Sequence, residues 1–227
     1  MKKTFLFVLL MCCFAGVAKA QNIQLHYDLG RAMYNSLEDR PWVTTTVEMF
    51  KADKWVVLSF LLIWTIQIRA CFCLLGNQRE LKFWKAPVSA HIEYNGGLNY
   101  INNAFLAGPA YNWNSADFSR VFGVQVMYKY IQKNDEPHNF QVTGTWTINF
   151  CQGKYTFSGF ADFWREKHFD VHGNEHNYIF MTEPQFWVNL NQFKHVNKDL
   201  NLSVGTEWEM STNLLLVTDS IISLRWQ

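Results

Sequence analysis

The chain has 227 residues, 49% of them hydrophobic, 17% aromatic and 17% charged, with a formal net charge of +1. Ten Trp, nine Tyr and 19 Phe exclude a disordered chain, and a pI of about 7.7 excludes the basic footprint of a nucleic-acid binder. Mean hydropathy is nevertheless only −0.12, so apolar and polar residues must be finely interleaved.

The chain opens with Lys2 and Lys3, an apolar run from Phe5 to Gly16, and Ala18-Lys19-Ala20 ahead of Gln21. That order of basic, apolar and small residues reads as a secretory signal peptide over 1–20. The apolar run is too short for a membrane anchor. A lipoprotein reading through Cys12 or Cys13 fails because Met11 is not small and both cysteines fall early. Beyond the signal only Cys71, Cys73 and Cys151 remain, an odd and sparse set that argues against a disulfide scaffold. Zinc-type Cys/His spacing is absent from the sequence.

From Phe140 the residues alternate strictly. Phe140, Val142, Gly144, Trp146, Ile148 and Phe150 share one face; Gln141, Thr143, Thr145, Thr147 and Asn149 share the other. A period of two specifies a strand. The pattern recurs at Ile23–Leu29, Val88–Asn95, Phe122–Tyr130, Phe157–Trp164, Glu183–Leu190 and Leu200–Gly205. Asn95-Gly96-Gly97, Asn134–Pro137, Gln152-Gly153-Lys154 and Asn197-Lys198-Asp199 read as the turns between them. The expected class is all-β with antiparallel hairpins. A soluble lipocalin-like barrel hides its apolar face, whereas an outer-membrane barrel exposes it to lipid. Strand length and aromatics near strand ends (Phe83-Trp84, Tyr111 with Trp113, Phe163-Trp164, Trp208) favour the membrane reading.

Trp55 to Gly76 breaks the pattern. Val56–Trp64 and Cys71–Leu75 are apolar on both faces, and the stretch is long enough for a transmembrane helix. A helix there would be out of place among hairpins. Back-translating Val56–Ile66 and shifting by one base permits Gly-Ser-Thr-Phe-Phe-Phe-Ile-Asp-Met-Asp-Tyr, which ends in the missing alternation. The same shift across Leu214–Thr218 permits Phe-Val-Gly-Asn. Both 56–78 and 214–227 therefore read as frameshift products.

The chain also shows a weak internal echo. Thr46–Phe50 resembles Thr147–Phe150 in pattern, and Arg79–Trp84 matches Thr182–Trp187. Phe157–Trp164, Met181–Phe186, Leu200–Ser203 and Glu207-Trp208 resemble, in the same order, the marks of the Tsx-type nucleoside-specific channels. The chain as a whole resembles more closely an uncharacterised outer-membrane family, a domain of unknown function related to those channels. The resemblance implies a twelve-stranded barrel and passive uptake of nucleosides. This chain departs from it in being shorter, in the broken 56–78 stretch and in its altered end.

If the apolar faces meet lipid, the opposite faces line a pore. They carry Glu48, His91, Glu93, Gln141, Thr143, Thr145, Asn149, Phe160, Asp162, Trp164, Glu183, Gln185, Glu207 and Glu209. A nucleoside needs stacking for its base and hydrogen bonds for its ribose, so Phe160, Asp162, Trp164, Glu183 and Gln185 are the leading set. Hydrogen bonding within a filled lumen is the competing explanation for Asp162 and Glu183. His168, His172 and His176 have helical ligand spacing, but their surroundings read as a polar external loop, so no metal is expected. Ser89, His91 and Glu93 share a strand face and resemble a hydrolase set, which keeps an outer-membrane lipid-modifying enzyme as an alternative.

The sequence thus predicts an antiparallel up-and-down transmembrane barrel over 21–227, in the outer membrane of a Gram-negative bacterium. Its expected role is a passive channel for small polar solutes, nucleosides in particular. The expected partners are those solutes and outer-membrane lipid, with no nucleic acid, no cofactor and no catalysis.

Overall fold

A computed structural model describes residues 21–29, 42–52, 56–66, 71–82, 86–97, 102–169, 174–197, 202–213 and 221–226. Residues 1–20, Phe83-Trp84, His172, 198–201 and 214–220 lie outside the described residues.

The described chain is almost entirely strand: β1 (Gln21–Asp28), β2 (Val43–Ala52), β3 (Val56–Ile66), β4 (Cys71–Leu81), β5 (Val88–Gly97), β6 (Ala104–Asn114) and β7 (Arg120–Ile131). β8 (His138–Phe150), β9 (Tyr155–Phe169), β10 (Glu175–Thr182), β11 (Gln185–Asn189), β12 (Ser203–Thr212) and β13 (Ile221–Trp226) complete it, with a 3-10 turn at Leu190–Gln192. Among the described residues no helix is long and apolar enough to cross a membrane.

All the strands belong to one antiparallel sheet. Each strand from β1 to β9 pairs with the next. β10 and β11 behave as one strand interrupted at Glu183-Pro184, since both pair with β9 on one side and β12 on the other. Counted that way there are twelve strands. β13 pairs with β12 and also with β1.

Which face is buried settles the question that alternation left open. Along β7, Gly123, Gln125, Met127 and Lys129 are buried, while Phe122, Val124, Val126 and Tyr128 are exposed. On β1 the buried residues are Gln24, His26 and Asp28, whereas Ile23 is 67% and Leu25 61% exposed. The same inversion holds for Ser89, His91 and Glu93 against Val88 and Ile92. A soluble domain hides its large apolar side chains; this one displays them and hides its charges. In the lipocalin-like alternative the apolar face would be the buried one; here it is the exposed one.

The displayed face is banded. Near one end of the strands sit Trp113–Phe122, Trp146–Phe157 and Phe150–Tyr155, with ring centroids 5.5–6.0 Å apart. Near the other end sit Tyr94–Phe105, Phe140–Phe163 and Phe163–Tyr178. Aliphatic residues such as Val124, Val126 and Val142 lie between. From Phe140 to Phe150 an extended strand covers about 33 Å, or about 25 Å along the axis at the usual tilt, which is the height of a barrel's apolar band.

Several expectations need adjustment. Residues 56–66 and 71–81, where the sequence alternation lapses, form strands that pair in full register with β2 and β5. Asn95-Gly96-Gly97 ends β5 instead of turning. β6 gives little alternation in sequence because its buried face carries Ala104, Leu106, Gly108 and Ala110. Gly108 is required there, since a Cβ would lie 2.0 Å from the Val126 carbonyl oxygen. The described parts of the stretch read as a polar loop lie in β9 and β10, with His168 and His176 directly paired.

Candidate functional site

The buried face gathers polar groups into three connected sets. The first lies on β4, β5 and β6. Glu80 faces His91 across the β4–β5 pair. The His91 Nε2–H donates to Glu93 Oε2 at 3.0 Å, and its Nδ1 stands 3.9 Å from Glu80 Oε1. Glu80 accepts further hydrogen bonds from Ser89 Oγ at 3.1 Å and Asn112 Nδ2 at 2.6 Å. Asn95 Nδ2 donates to Glu93 Oε1. His91 and Ser89 are each only 1% exposed, so this cluster is sealed by its neighbours.

This geometry answers the hydrolase reading. Although two strand positions are normally about 6–7 Å apart, the long side chains of His91 and Glu93 bridge that gap. Ser89, however, donates to a carboxylate and not to the imidazole. The serine–histidine contact that activates a nucleophile is not made, and the set reads as a hydrogen-bonded charge cluster.

The second set spans β7, β8 and β9. Lys129 Nζ donates to Gln141 Oε1 at 2.9 Å, Gln141 Nε2 to Thr143 Oγ1 at 3.1 Å, and Thr143 Oγ1 to Asp162 Oδ1 at 2.5 Å. The ammonium also sits 4.4 Å from the Trp164 ring centre, and Trp164 Nε1 donates to Glu166 Oε2 at 2.8 Å. Asp162, Glu166 and Glu93 all act electrostatically on Lys129. A buried lysine needs such compensation, because burying an ammonium unpaired is costly.

The third set joins the two ends of the chain. Gln24 Nε2 donates to Glu48 Oε2 at 3.2 Å, and His26 Nε2–H donates to Gln24 Oε1 at 3.0 Å. His26 Nδ1 lies 4.0 Å from Glu207 Oε2, which accepts from Gln185 Nε2 at 2.6 Å. Trp187 Nε1 and Ser158 Oγ both donate to Gln185 Oε1.

The expected pore residues fall within this frame unevenly. Gln141, Thr143, Asp162 and Trp164 meet in the second set, His91 and Glu93 in the first, Gln185, Glu207 and Glu48 in the third. Thr145 and Phe160 are paired across β8–β9, half-buried on the same face. Asn149 accepts from Thr156 Oγ1 at 2.7 Å. Glu183 stands at the interruption between β10 and β11, where its backbone N–H donates to the Phe160 carbonyl. Glu209 lies half-buried on β12, in phase with Glu207.

Trp164 departs from both roles given to it in part. It is buried rather than part of an aromatic belt, where only its neighbour Phe163 belongs, and its ring is engaged by Lys129. The leading set does not converge: Asp162 and Trp164 belong to one cluster and Gln185 to another. Phe160 is the aromatic of that set without a cation against it among the described contacts.

Sequence reasoning missed Lys129, Gln24, His26, Glu80 and Gln125. The first three and Gln125 lie on the polar phase of runs that were recognised, so the alternation itself held the signal. Glu80 became legible only through its register with His91. Gln125 Oε1 is buried with no hydrogen-bond partner among the described residues. Among the described residues no three His, Cys, Asp or Glu side chains are placed to hold a metal ion.

A family model described as "Domain of unknown function (DUF5020)" matches residues 20–224. No curated protein matches the chain. Among solved structures, Pseudomonas aeruginosa OccK11 (OpdR) is similar over 93% of this chain at 9% identity and a TM-score of 0.38. The match takes in 66% of that protein's length. With nearly its whole length covered by the family model, the chain belongs to the DUF5020 family.

Proposed function

We propose that this protein is an outer-membrane channel for the passive uptake of small polar solutes. The observation that carries the reading is the inversion of polarity: large apolar side chains exposed in a band between two aromatic belts, charges and amides buried within. Lipid is the surrounding that makes such a surface favourable, and a polar interior is what a solute path needs. A secretory signal over 1–20 agrees with export.

In this reading the fully buried His91, Glu93, Lys129 and Gln141 form the constriction of the path. Thr145, Phe160 and Asp162, half-buried on the same face, border the rest of the path in this reading. Nucleosides are the specific class put forward. The base would stack on Phe160 and the ribose would donate to Asp162. Outer-membrane lipid is the surrounding partner.

Liposome swelling tests both levels. Reconstituted protein should admit nucleosides faster than sugars of equal size. Equal rates would remove the nucleoside claim and leave the channel; no swelling with either would remove the channel.

A further inference from the structure

The exposed face of β4–β7 is not smooth. Arg79, Ile92, Ala107 and Tyr128 stand in one row across the four strands, by the registers Arg79↔Ile92, Ile92↔Ala107 and Ala107↔Tyr128. Tyr94 and Phe105 stand in the next row. Ala107 is small among large neighbours, at a groove of about 400 Å³ lined by these residues together with Asn77, Glu93, Leu106 and Tyr130. Its walls are mostly aromatic and aliphatic. Tyr94 Oη donates to Asn103 Oδ1 at 2.9 Å, and the Tyr128 hydroxyl bonds His138. These phenols turn their polar tips toward one end of the strands, as belt tyrosines do at a membrane surface.

Arg79 is the anomaly. It is an exposed guanidinium on the face that carries apolar side chains, two residues from the end of β4. A cation held against hydrocarbon needs a counter-charge or a path to the headgroups. A guanidinium matches a phosphate through paired N–H donors.

We propose that this groove binds a membrane phospholipid, its acyl chain lying over Ala107 between the aromatic walls and its phosphate paired with Arg79. The site rests on the reading of the exposed face as lipid-facing, but not on solute passage. Charge complementarity chooses the phosphate, and the apolar lining chooses the chain. From Arg79 to Tyr128 the groove crosses three strand spacings, about 14 Å, enough for the greater part of an acyl chain.

Native mass spectrometry of the detergent-purified full chain, with phosphatidylglycerol or diacylglycerol of identical acyl chains added, tests the site. Phosphatidylglycerol should be retained about tenfold more strongly, the scale of one charge-assisted contact. Arg79→Gln should bring the two lipids level, and Ala107→Phe should weaken both by filling the groove. Both positions are exposed, so neither change disturbs the buried face. Equal retention of the two lipids by the unaltered protein, or an undiminished preference in Arg79→Gln, would overturn the proposal. Swelling rates should be unchanged by Arg79→Gln, so failure of this site and failure of the channel are told apart.

Discussion

The Lys129 ammonium is clamped between Gln141, whose side-chain oxygen accepts from it at 2.9 Å, and Trp164, whose ring centre is 4.4 Å away. A lysine on the buried face is held in place by such contacts, and under the proposed function its side chain borders the solute path. Lys129→Met removes the charge and the anchoring hydrogen bond. Planar-bilayer recordings should show a larger conductance and a shift toward cations, because Asp162, Glu93 and Glu166 lose their shared counter-charge. Unchanged conductance would show that Lys129 does not border the path.

His91 supports two carboxylates from a position that is itself 1% exposed. His91→Ala would leave Glu80 and Glu93 buried without their common partner, at an expected cost of about 3 kcal/mol. Ser89→Ala removes one neutral donor and should cost about 1 kcal/mol. Urea unfolding in detergent compares the two, and similar values would show that the cluster is not held by charge.

The two faces should tolerate charge differently. Val126→Arg places a guanidinium in the middle of the apolar band and should cost about 2–4 kcal/mol in folding into vesicles. Thr145→Arg, on the buried face, escapes the lipid penalty. Folding yields in the opposite order would reverse the assignment of inside and outside.

The β6–β7 turn has its own pH signature. Hydrogen bonds from the Ser115 hydroxyl, then from the Ser119 backbone and hydroxyl, lower the Asp117 pKa from 3.8 to about 2. A carboxylate with a lowered folded pKa contributes stability that is complete above its unfolded value and is lost as pH falls through the folded one. The turn should therefore hold at pH 5 and loosen between about pH 4 and 2. Exchange of the Ser119 amide, which donates to Asp117 at 3.1 Å, measures this. Asp117→Asn should abolish the pH dependence.

Much of the architecture was legible because strand periodicity is local. Phe140–Phe150 announced both its faces in eleven residues. What stayed hidden depended on register: Glu80 meets His91, and Glu207 approaches His26, only when distant strands are laid side by side. β6 was silent because its buried face is itself apolar, which erases the contrast that marks a strand. The run from Glu183 concealed the interruption at Pro184, where a residue without an N–H cannot serve a ladder.

Residues 56–78 remain out of character, since β3 and β4 pair correctly yet carry apolar residues on both faces. We propose that these residues, with 214–227, arise from one-base shifts in the reading frame. Sequencing the gene from independent clones should return the shifted frame with alternation restored; an unaltered read in all of them would refute it.

The central claim is that solutes travel along the buried polar face while the apolar face meets lipid. Single cysteines at Thr145 and Val126, in a chain with Cys71, Cys73 and Cys151 replaced by serine, test it directly under a membrane-impermeant thiol reagent. The current should fall on labelling Thr145→Cys and stay unchanged with Val126→Cys. A current blocked through Val126→Cys and indifferent to Thr145→Cys would contradict it.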